Sequence, residues 1–226
     1  MPKLTDFAAF IFDLDGLVLD TEPTYFAAWQ KTVETMGFQL EPALFRTLSG
    51  FHYQGVKTQL QAWLGQEFDL QAFDQLGKEI WRHHVHEQGI QVKPGVIALL
   101  DYARQQGIPI CLATNSLKPY AQECLAVAGL THRFPTMVTG SDVERAKPAP
   151  DIFLKAAEKM QVDIRHCVIF EDSPTGVAAA VATDAYTVYV PSIFPVDGQA
   201  VEMSNCVLDD LTQVFETLPP RALKGI

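Results

Sequence analysis

Short apolar runs of strand chemistry recur along this chain, separated by stretches of helical spacing, and few folds accommodate that alternation. The runs are Phe7-Ala8-Ala9-Phe10-Ile11-Phe12, residues 108–113, 136–139 and 167–170, and a last one at 186–190. Between them, Pro94-Gly95 opens a helix running to Gly107, a second helix is expected over about 117–128, Pro150 opens a third, and the Ala-rich segment 174–182 reads as a fourth. Continuous apolar strands alternating with helices indicate a parallel sheet covered on both faces, an α/β fold. The interval 20–91 breaks the rhythm. Thr21-Glu22-Pro23 has the grammar of a helix start, with a capping hydroxyl, an early acid and a first-turn proline. Phe26, Trp29, Val33 and Met36 then recur at helical spacing, and further helices are expected at about 41–48, 53–64 and 69–87. An all-helical block of this kind reads as an insertion after the first strand.

The first strand closes on Asp13-Leu14-Asp15-Gly16. In an extended chain alternate side chains share a face, so Asp13 and Asp15 are expected to point the same way. Two close carboxylates repel, and in a partly buried place they call for a cation or a proton. A plain turn is one reading, since Asp and Gly are common turn formers. A calcium loop of the EF-hand kind is poorly supported, because position 12 counted from Asp13 is Thr24 and the loop follows a strand.

Ligands of doubly wound sheets bind beyond the carboxyl ends of the strands. Those ends carry, in order, Asp13-Leu14-Asp15, Thr114-Asn115-Ser116, a loop with Lys147-Pro148, and Glu171-Asp172-Ser173. Each has an ordinary reading alone: Ser116 as a helix cap, Lys147 in a proline-stiffened loop, Glu171 and Asp172 as an acidic helix start. Together they describe phosphoryl transfer through an aspartyl-phosphate. Asp13 is the expected nucleophile, and Asp15 the acid that protonates the leaving oxygen and then the base that activates water. Thr114, the Asn115 amide and Lys147 are the expected phosphate-binding groups. Asp13, Asp15, Glu171 and Asp172 offer hard oxygen ligands for Mg²⁺, which would offset the repulsion between carboxylate and phosphate.

Composition narrows the partners. At 226 residues the chain can bury a substantial core, and 48% of its residues are apolar without a run of membrane-spanning length. A net charge of −10 argues against nucleic acid and anionic membranes as partners, but leaves a small anionic metabolite open. No basic segment followed by a signal-type apolar stretch marks the start of the sequence. Cys111, Cys124, Cys167 and Cys206 form no CxxC pair, and Cys111 and Cys167 read as buried packing residues, so a reduced, cytoplasmic setting is expected. His83, His84 and His86 do not share one helix face and read as solvated surface rather than a metal site.

These motifs, in this order and spacing, resemble the haloacid dehalogenase-like superfamily. The phrase from Phe12 to Pro23, with Lys147-Pro148-Ala149-Pro150-Asp151-Ile152-Phe153 and Glu171-Asp172-Ser173-Pro174, is similar to its β-phosphoglucomutase and sugar-phosphatase branch. The resemblance spans essentially the whole chain. It implies a Rossmann-like catalytic core at 1–19 and 92–226 and a helical cap domain at 20–91, with hinges near Leu19–Glu22 and Gln91–Gly95. The superfamily's dehalogenases lack the second catalytic Asp, so Asp15 speaks for phosphate chemistry. Its phosphonate hydrolases use a cap lysine, and neither Lys57 nor Lys78 is placed as an equivalent. The mutases carry a cap His where this chain has Tyr25, and an Arg after a cap Gly where Gly50-Phe51-His52-Tyr53 offers none. The expectation is a Mg²⁺-dependent phosphatase for a small phosphorylated metabolite, such as a sugar phosphate or nucleoside monophosphate, acting as a monomer or weak homodimer. A β-phosphoglucomutase-type enzyme and a non-catalytic binding member are the alternatives. Tyr25, Phe51, His52 and Tyr53 are the expected specificity residues.

Overall fold

The structure is a computed structural model that describes residues 4–51 and 53–218. His52, one of the expected specificity residues, lies outside them. The chain divides into two compact units, Met1–Leu19 with Gln91–Ile226, and Asp20–Ile90.

The first unit is built on a six-stranded sheet in which every neighbouring pair is parallel. Its strands are β1 (Ala9–Phe12), β2 (Ile110–Thr114), β3 (Thr136–Thr139), β4 (Cys167–Glu171), β5 (Tyr186–Tyr189) and β6 (Cys206–Val207). The order 3-2-1-4-5-6 is that of a doubly wound Rossmann-like sheet. β1 therefore lies between β2 and β4, with Ile11 opposite Cys111 on one side and Ile169 on the other. The chain leaves β1 toward one edge and returns through β4 on the other side. That reversal creates a crevice at the carboxyl ends of these strands.

Burial follows the two-residue strand period. Ala9 and Ile11 face a cluster that includes Cys111, Ala113, Cys167, Ile169 and Phe153. Phe10 and Phe12 turn to the other face, where Phe12 stacks on Phe170 at 4.9 Å and meets Phe134 edge-on at 5.9 Å. Each fully buried phenylalanine contributes roughly 1.5–3 kcal/mol. Both faces are thus dry and β1 is rigidly held. In the segment Asp151–Met160, Ile152, Phe153, Ala156 and Ala157 form one buried helical stripe against the first cluster.

Asp20–Ile90 holds α1 (Glu22–Thr35), α2 (Pro42–Arg46), α3 (Tyr53–Leu64) and α4 (Leu70–Gln88) around its own core of Val33, Phe45, Val56, Leu60, Phe68 and Phe73. The Trp81 indole N–H donates to the Thr24 hydroxyl at 3.0 Å, tying α4 to α1. Asp69 caps α4 by accepting from the Gln71 and Ala72 amides at 2.8 and 3.0 Å. Thr21 does not cap α1 through its hydroxyl. Its backbone is already helical, at φ −80° and ψ −26°, and its carbonyl accepts the Thr24 hydroxyl at 2.6 Å. Downstream in the first unit come α5 (Val96–Gln106), α6 (Lys118–Val127), α7 (Asp151–Met160) and α8 (Pro174–Val181). Among the described residues no helix is long and apolar enough to cross a membrane.

Candidate active site at the strand ends

Asp13 directly follows β1, and its amide extends the ladder by donating to the Phe170 carbonyl at 3.1 Å. The strand then breaks at Gly16, whose φ of +88° few other residues adopt. A side chain there would also overlap the Asp172 carboxylate. Gly16 is therefore required for both its backbone conformation and its closeness to a second acid.

Lys147 organises the centre. An ammonium group has three protons to donate. Here they go to Asp13 Oδ1 in a short contact, to Glu171 Oε1 at 2.5 Å and to the Ala113 carbonyl at 2.9 Å. The Lys147 side chain is only 3% exposed, and its ammonium lies 4.9 Å from the Phe153 ring centre. Burial alone would push the amine down. The charges and hydrogen bonds of Asp13 and Glu171 outweigh it and hold the group above its ordinary value, as an ammonium. The Asn115 side chain fixes the Lys147 backbone, accepting from its amide at 2.9 Å and donating to its carbonyl at 3.3 Å.

The carboxylates differ in their surroundings. Burial pushes Asp13 up to about 7, against the attraction of Lys147, with the nearby charges of Glu171 and Asp15 adding to the rise. Burial, then the charges of Asp13 and Glu171, likewise hold Asp172 well above the ordinary carboxylate range. The Ser192 hydroxyl donates to Asp172 Oδ2 at 2.5 Å. Glu171 is fully enclosed and satisfied by protein. Lys147 occupies one oxygen, and the Asp172 amide, the Ser173 amide and the Ser173 hydroxyl reach the other at 3.1–3.3 Å. A Cβ at Gly176 would overlap this carboxylate, so the first turn of α8 must pass it bare. Ser173 caps the same helix through the Gly176 amide at 3.0 Å.

Asp13 and Asp15 do not share partners, as a continued strand would predict. Beyond Gly16 the chain doubles back, and Asp15 pairs with Leu19 in an isolated bridge. Its Oδ2 accepts the Ser116 hydroxyl at 2.7 Å and its Oδ1 the Tyr120 hydroxyl at 2.8 Å. Ser116 is thus not the cap of α6, whose N-cap is Leu117. Thr114, nearly fully buried, accepts the Ser116 amide at 3.0 Å, a role that leaves its own proton to donate.

One crevice thus gathers Asp13, Glu171, Asp172 and Lys147, with Asp15 near enough to raise Asp13 and Thr114 closing the neighbouring strand. Three buried carboxylates face one ammonium, and a hard divalent cation fits this excess of anionic oxygen. Among the described residues no three His, Cys, Asp or Glu side chains stand ready as a metal shell. Lys147 bridges Asp13 and Glu171, and Ser192 holds Asp172.

In the helical unit, Tyr25 stacks on Trp81 at 5.5 Å and lies beside Trp29 at 5.6 Å. The Tyr53 hydroxyl donates to Asp74 at 2.7 Å, and Lys57 pairs with the same carboxylate at 3.1 Å. Phe51 is exposed, on a turn that Glu22 ties down through Ser49 and the Gly50 amide at 2.9 and 3.0 Å. A cavity of about 470 Å³ between α1 and α4, lined by Ala27, Leu76, Ile80 and His83 among others, includes no candidate site residue. Ser192 and Tyr120 escaped the sequence reading. Ser192 follows β5, and carrying the strand-end rule to the fifth strand finds it. Tyr120 has no comparable signal, since it acts across a helix turn.

Fold and site define an α/β protein with a carboxylate–ammonium centre at its topological switch point. The model of the haloacid dehalogenase-like hydrolases matches residues 7–184. The chain belongs to that family and is a hydrolase of its kind. It is 33% identical over 189 residues to a phosphorylated carbohydrates phosphatase of Thermotoga maritima, covering 80% of this chain and 83% of the relative. It is 31% identical over 174 residues to a fructose-1-phosphate phosphatase of Escherichia coli, covering 77% and 91%. A crystal structure of a putative β-phosphoglucomutase from Thermotoga maritima superposes with a TM-score of 0.81 at 30% identity, over 93% of this chain and 99% of that one.

Proposed function

We propose that the protein is a Mg²⁺-dependent phosphatase that hydrolyses a small phosphorylated carbohydrate through a phosphoryl group carried on Asp13. The observation that supports this most is the three-way anchoring of Lys147, which holds one oxygen of Asp13 and keeps a positive charge at the strand ends. The phosphatase names of the relatives support the same reading.

With Oδ1 on Lys147, Oδ2 of Asp13 is the attacking atom. A bond forms from it to phosphorus as the bond to the leaving oxygen breaks, and Asp15 gives that oxygen a proton. Asp15 then takes a proton from water, whose oxygen attacks phosphorus and frees Asp13. Thr114 and the Asn115 amide bind the phosphoryl oxygens while charge shifts between them, joined by Lys147 as it trades one of its three protein acceptors for phosphate. Asp13 and Asp172 would hold Mg²⁺, with Asp15 and Glu171 in supporting places because the side-chain oxygens of both are already engaged. The ion would supply positive charge against carboxylate–phosphate repulsion.

Choice of leaving group is assigned to Asp20–Ile90, and there to exposed Phe51 before Tyr53, whose hydroxyl is on Asp74, and Tyr25, which is committed to a ring stack. His52 keeps its place among these candidates on sequence alone. The chain's net charge of −10 leaves a small anionic metabolite open as partner, and four free cysteines suit a cytoplasmic setting.

A panel of sugar phosphates and nucleoside monophosphates, assayed for phosphate release with Mg²⁺ and with chelator, tests the reading. Release that requires Mg²⁺ and vanishes in Asp13→Asn is expected. Turnover that survives either change refutes it. A phosphosugar mutase is the second reading, favoured by the description of the structural neighbour. Conversion of β-glucose 1-phosphate to glucose 6-phosphate, outpacing its hydrolysis in the presence of the bisphosphate, would establish that reading instead.

A further inference from the structure

We propose that Tyr120 is a positioning residue for Asp15, acting with Ser116 to hold the proton-transferring carboxylate by both oxygens. The inference rests on reading Asp15 as the acid and base of the reaction. Ser116 reaches Oδ2 at 2.7 Å and Tyr120 reaches Oδ1 at 2.8 Å. An Asp carboxylate turns readily about its last torsion, and a single hydrogen bond leaves that rotation open. Two donors on different oxygens fix the plane of the group as well as its direction. Proton transfer needs that, because an acid only slightly out of line with the leaving oxygen loses much of its effect.

Both donors come from one stiff stretch of chain. The Ser116 amide is tied to the Thr114 hydroxyl at 3.0 Å, and its carbonyl accepts the Gly140 amide at 3.2 Å. Four residues on, Tyr120 stands in the first turn of α6, with Pro119 in that same turn. The end of β2 therefore presents Thr114 for phosphate and Ser116 and Tyr120 for Asp15 as one rigid piece.

The type of partner matters as much as its place. A lysine or arginine only donates, and its charge favours the ionised carboxylate over the acid. Neutral hydroxyls donate to both oxygens of the carboxylate and still donate to the carbonyl oxygen of the acid, whose own O–H is left for the leaving oxygen. Ser116 and Tyr120 can therefore keep Asp15 aligned before and after its proton moves, as a group that first gives and then takes a proton requires. Asp13, which needs no proton in the reaction, is held by an ammonium instead.

The test exploits the leaving group. p-Nitrophenolate leaves as an anion without help, whereas a sugar alkoxide must be protonated as it departs. Tyr120→Phe and Ser116→Ala are compared with the unaltered protein on p-nitrophenyl phosphate and on the best-hydrolysed sugar phosphate of the panel. In each variant kcat/KM, which reports only the step in which the leaving oxygen departs and not the water attack common to both substrates, is expected to fall about five- to tenfold more for the sugar phosphate than for p-nitrophenyl phosphate. Equal losses on both substrates, or no loss on either, overturn the inference, and a misfolded Tyr120→Phe leaves Ser116→Ala to decide. Asp15→Asn separates the two levels of the argument. If its loss is not selective for the sugar phosphate, Asp15 is not the acid and the inference falls with it. If Asp15→Asn is selective and the two hydroxyl variants are not, the positioning role alone is wrong. No turnover by the unaltered protein overturns both.

Discussion

Replacing the proposed nucleophile is expected to stabilise the protein. Burial pushes the Asp13 carboxyl up to about 7 from its ordinary value of 3.8. The folded state therefore binds more protons than the unfolded chain across that interval, and stability falls as pH rises through it. At ~1.4 kcal/mol per pH unit, ionised Asp13 costs roughly 4 kcal/mol at pH 8. The attraction of Lys147 is already contained in the value of about 7, and an Asn at this position still offers Lys147 an acceptor. Half the full figure allows for relaxation of the site, which leaves Asp13→Asn more stable by about 2 kcal/mol at pH 8, or ~4–8 °C in Tm. At pH 5 the advantage shrinks to roughly a third, because the wild-type carboxyl is protonated in the fold. Thermal and urea unfolding in EDTA at the two pH values would measure this. All three tryptophans, Trp29, Trp63 and Trp81, lie in Asp20–Ile90, so fluorescence follows the other unit and circular dichroism must follow this one. Mg²⁺ at a hundred times its Kd would add about 2.7 kcal/mol to the wild type and so more than offset the difference. An Asp13→Asn variant no more stable than wild type at pH 8 in EDTA, or a gain that ignores pH, would refute the reasoning.

Other expectations follow from single contacts. Ser192→Ala removes the hydroxyl that orients Asp172 and should raise the half-saturating Mg²⁺ concentration about tenfold in a metal titration of activity. Gly16→Ala forces a side chain onto a φ of +88° and into the Asp172 carboxylate, and should lose more than ~1–2 kcal/mol of stability by urea unfolding and nearly all activity. Burial pushes the Cys111, Cys124 and Cys167 thiols up to about 12, so a disulfide reagent at neutral pH should label half-buried Cys206 first and the other three only on unfolding.

The strand ends were the most readable part of the sequence, because each pairs a dense apolar run with a polar break. Even there the boundaries moved for local reasons. β2 begins at Ile110 rather than Ile108, since the Ile108 amide closes α5 on the Ala103 carbonyl at 2.8 Å and Pro109 has no amide to offer. β6, two residues long, is too short to show any period. Within the site, sequence order identified the charged groups but not how they divide their partners. Glu171 was expected beside a metal, yet its oxygens are engaged by Lys147 and by its own downstream loop. Asn115 was expected to offer its amide to phosphate, and its side chain also clamps the Lys147 backbone. The Lys147 contacts with Glu171 and Asn115 join residues 24 and 32 positions apart, and nothing in the local pattern records them.

The place of β1 between β2 and β4 bears on how the chain is made. β1 leaves the ribosome well ahead of its two neighbours, which begin only at Ile110 and Cys167. At ~5–20 residues per second, Ala9–Phe12 waits roughly ten to thirty seconds before both edges can be paired. Asp20–Ile90 is complete well before then, with a core of its own. The strand that leads into Asp13 therefore spends synthesis as an exposed apolar segment tethered to a finished helical unit. Conditions that slow translation or deplete chaperones should reduce the yield of the sheet before that of the helices.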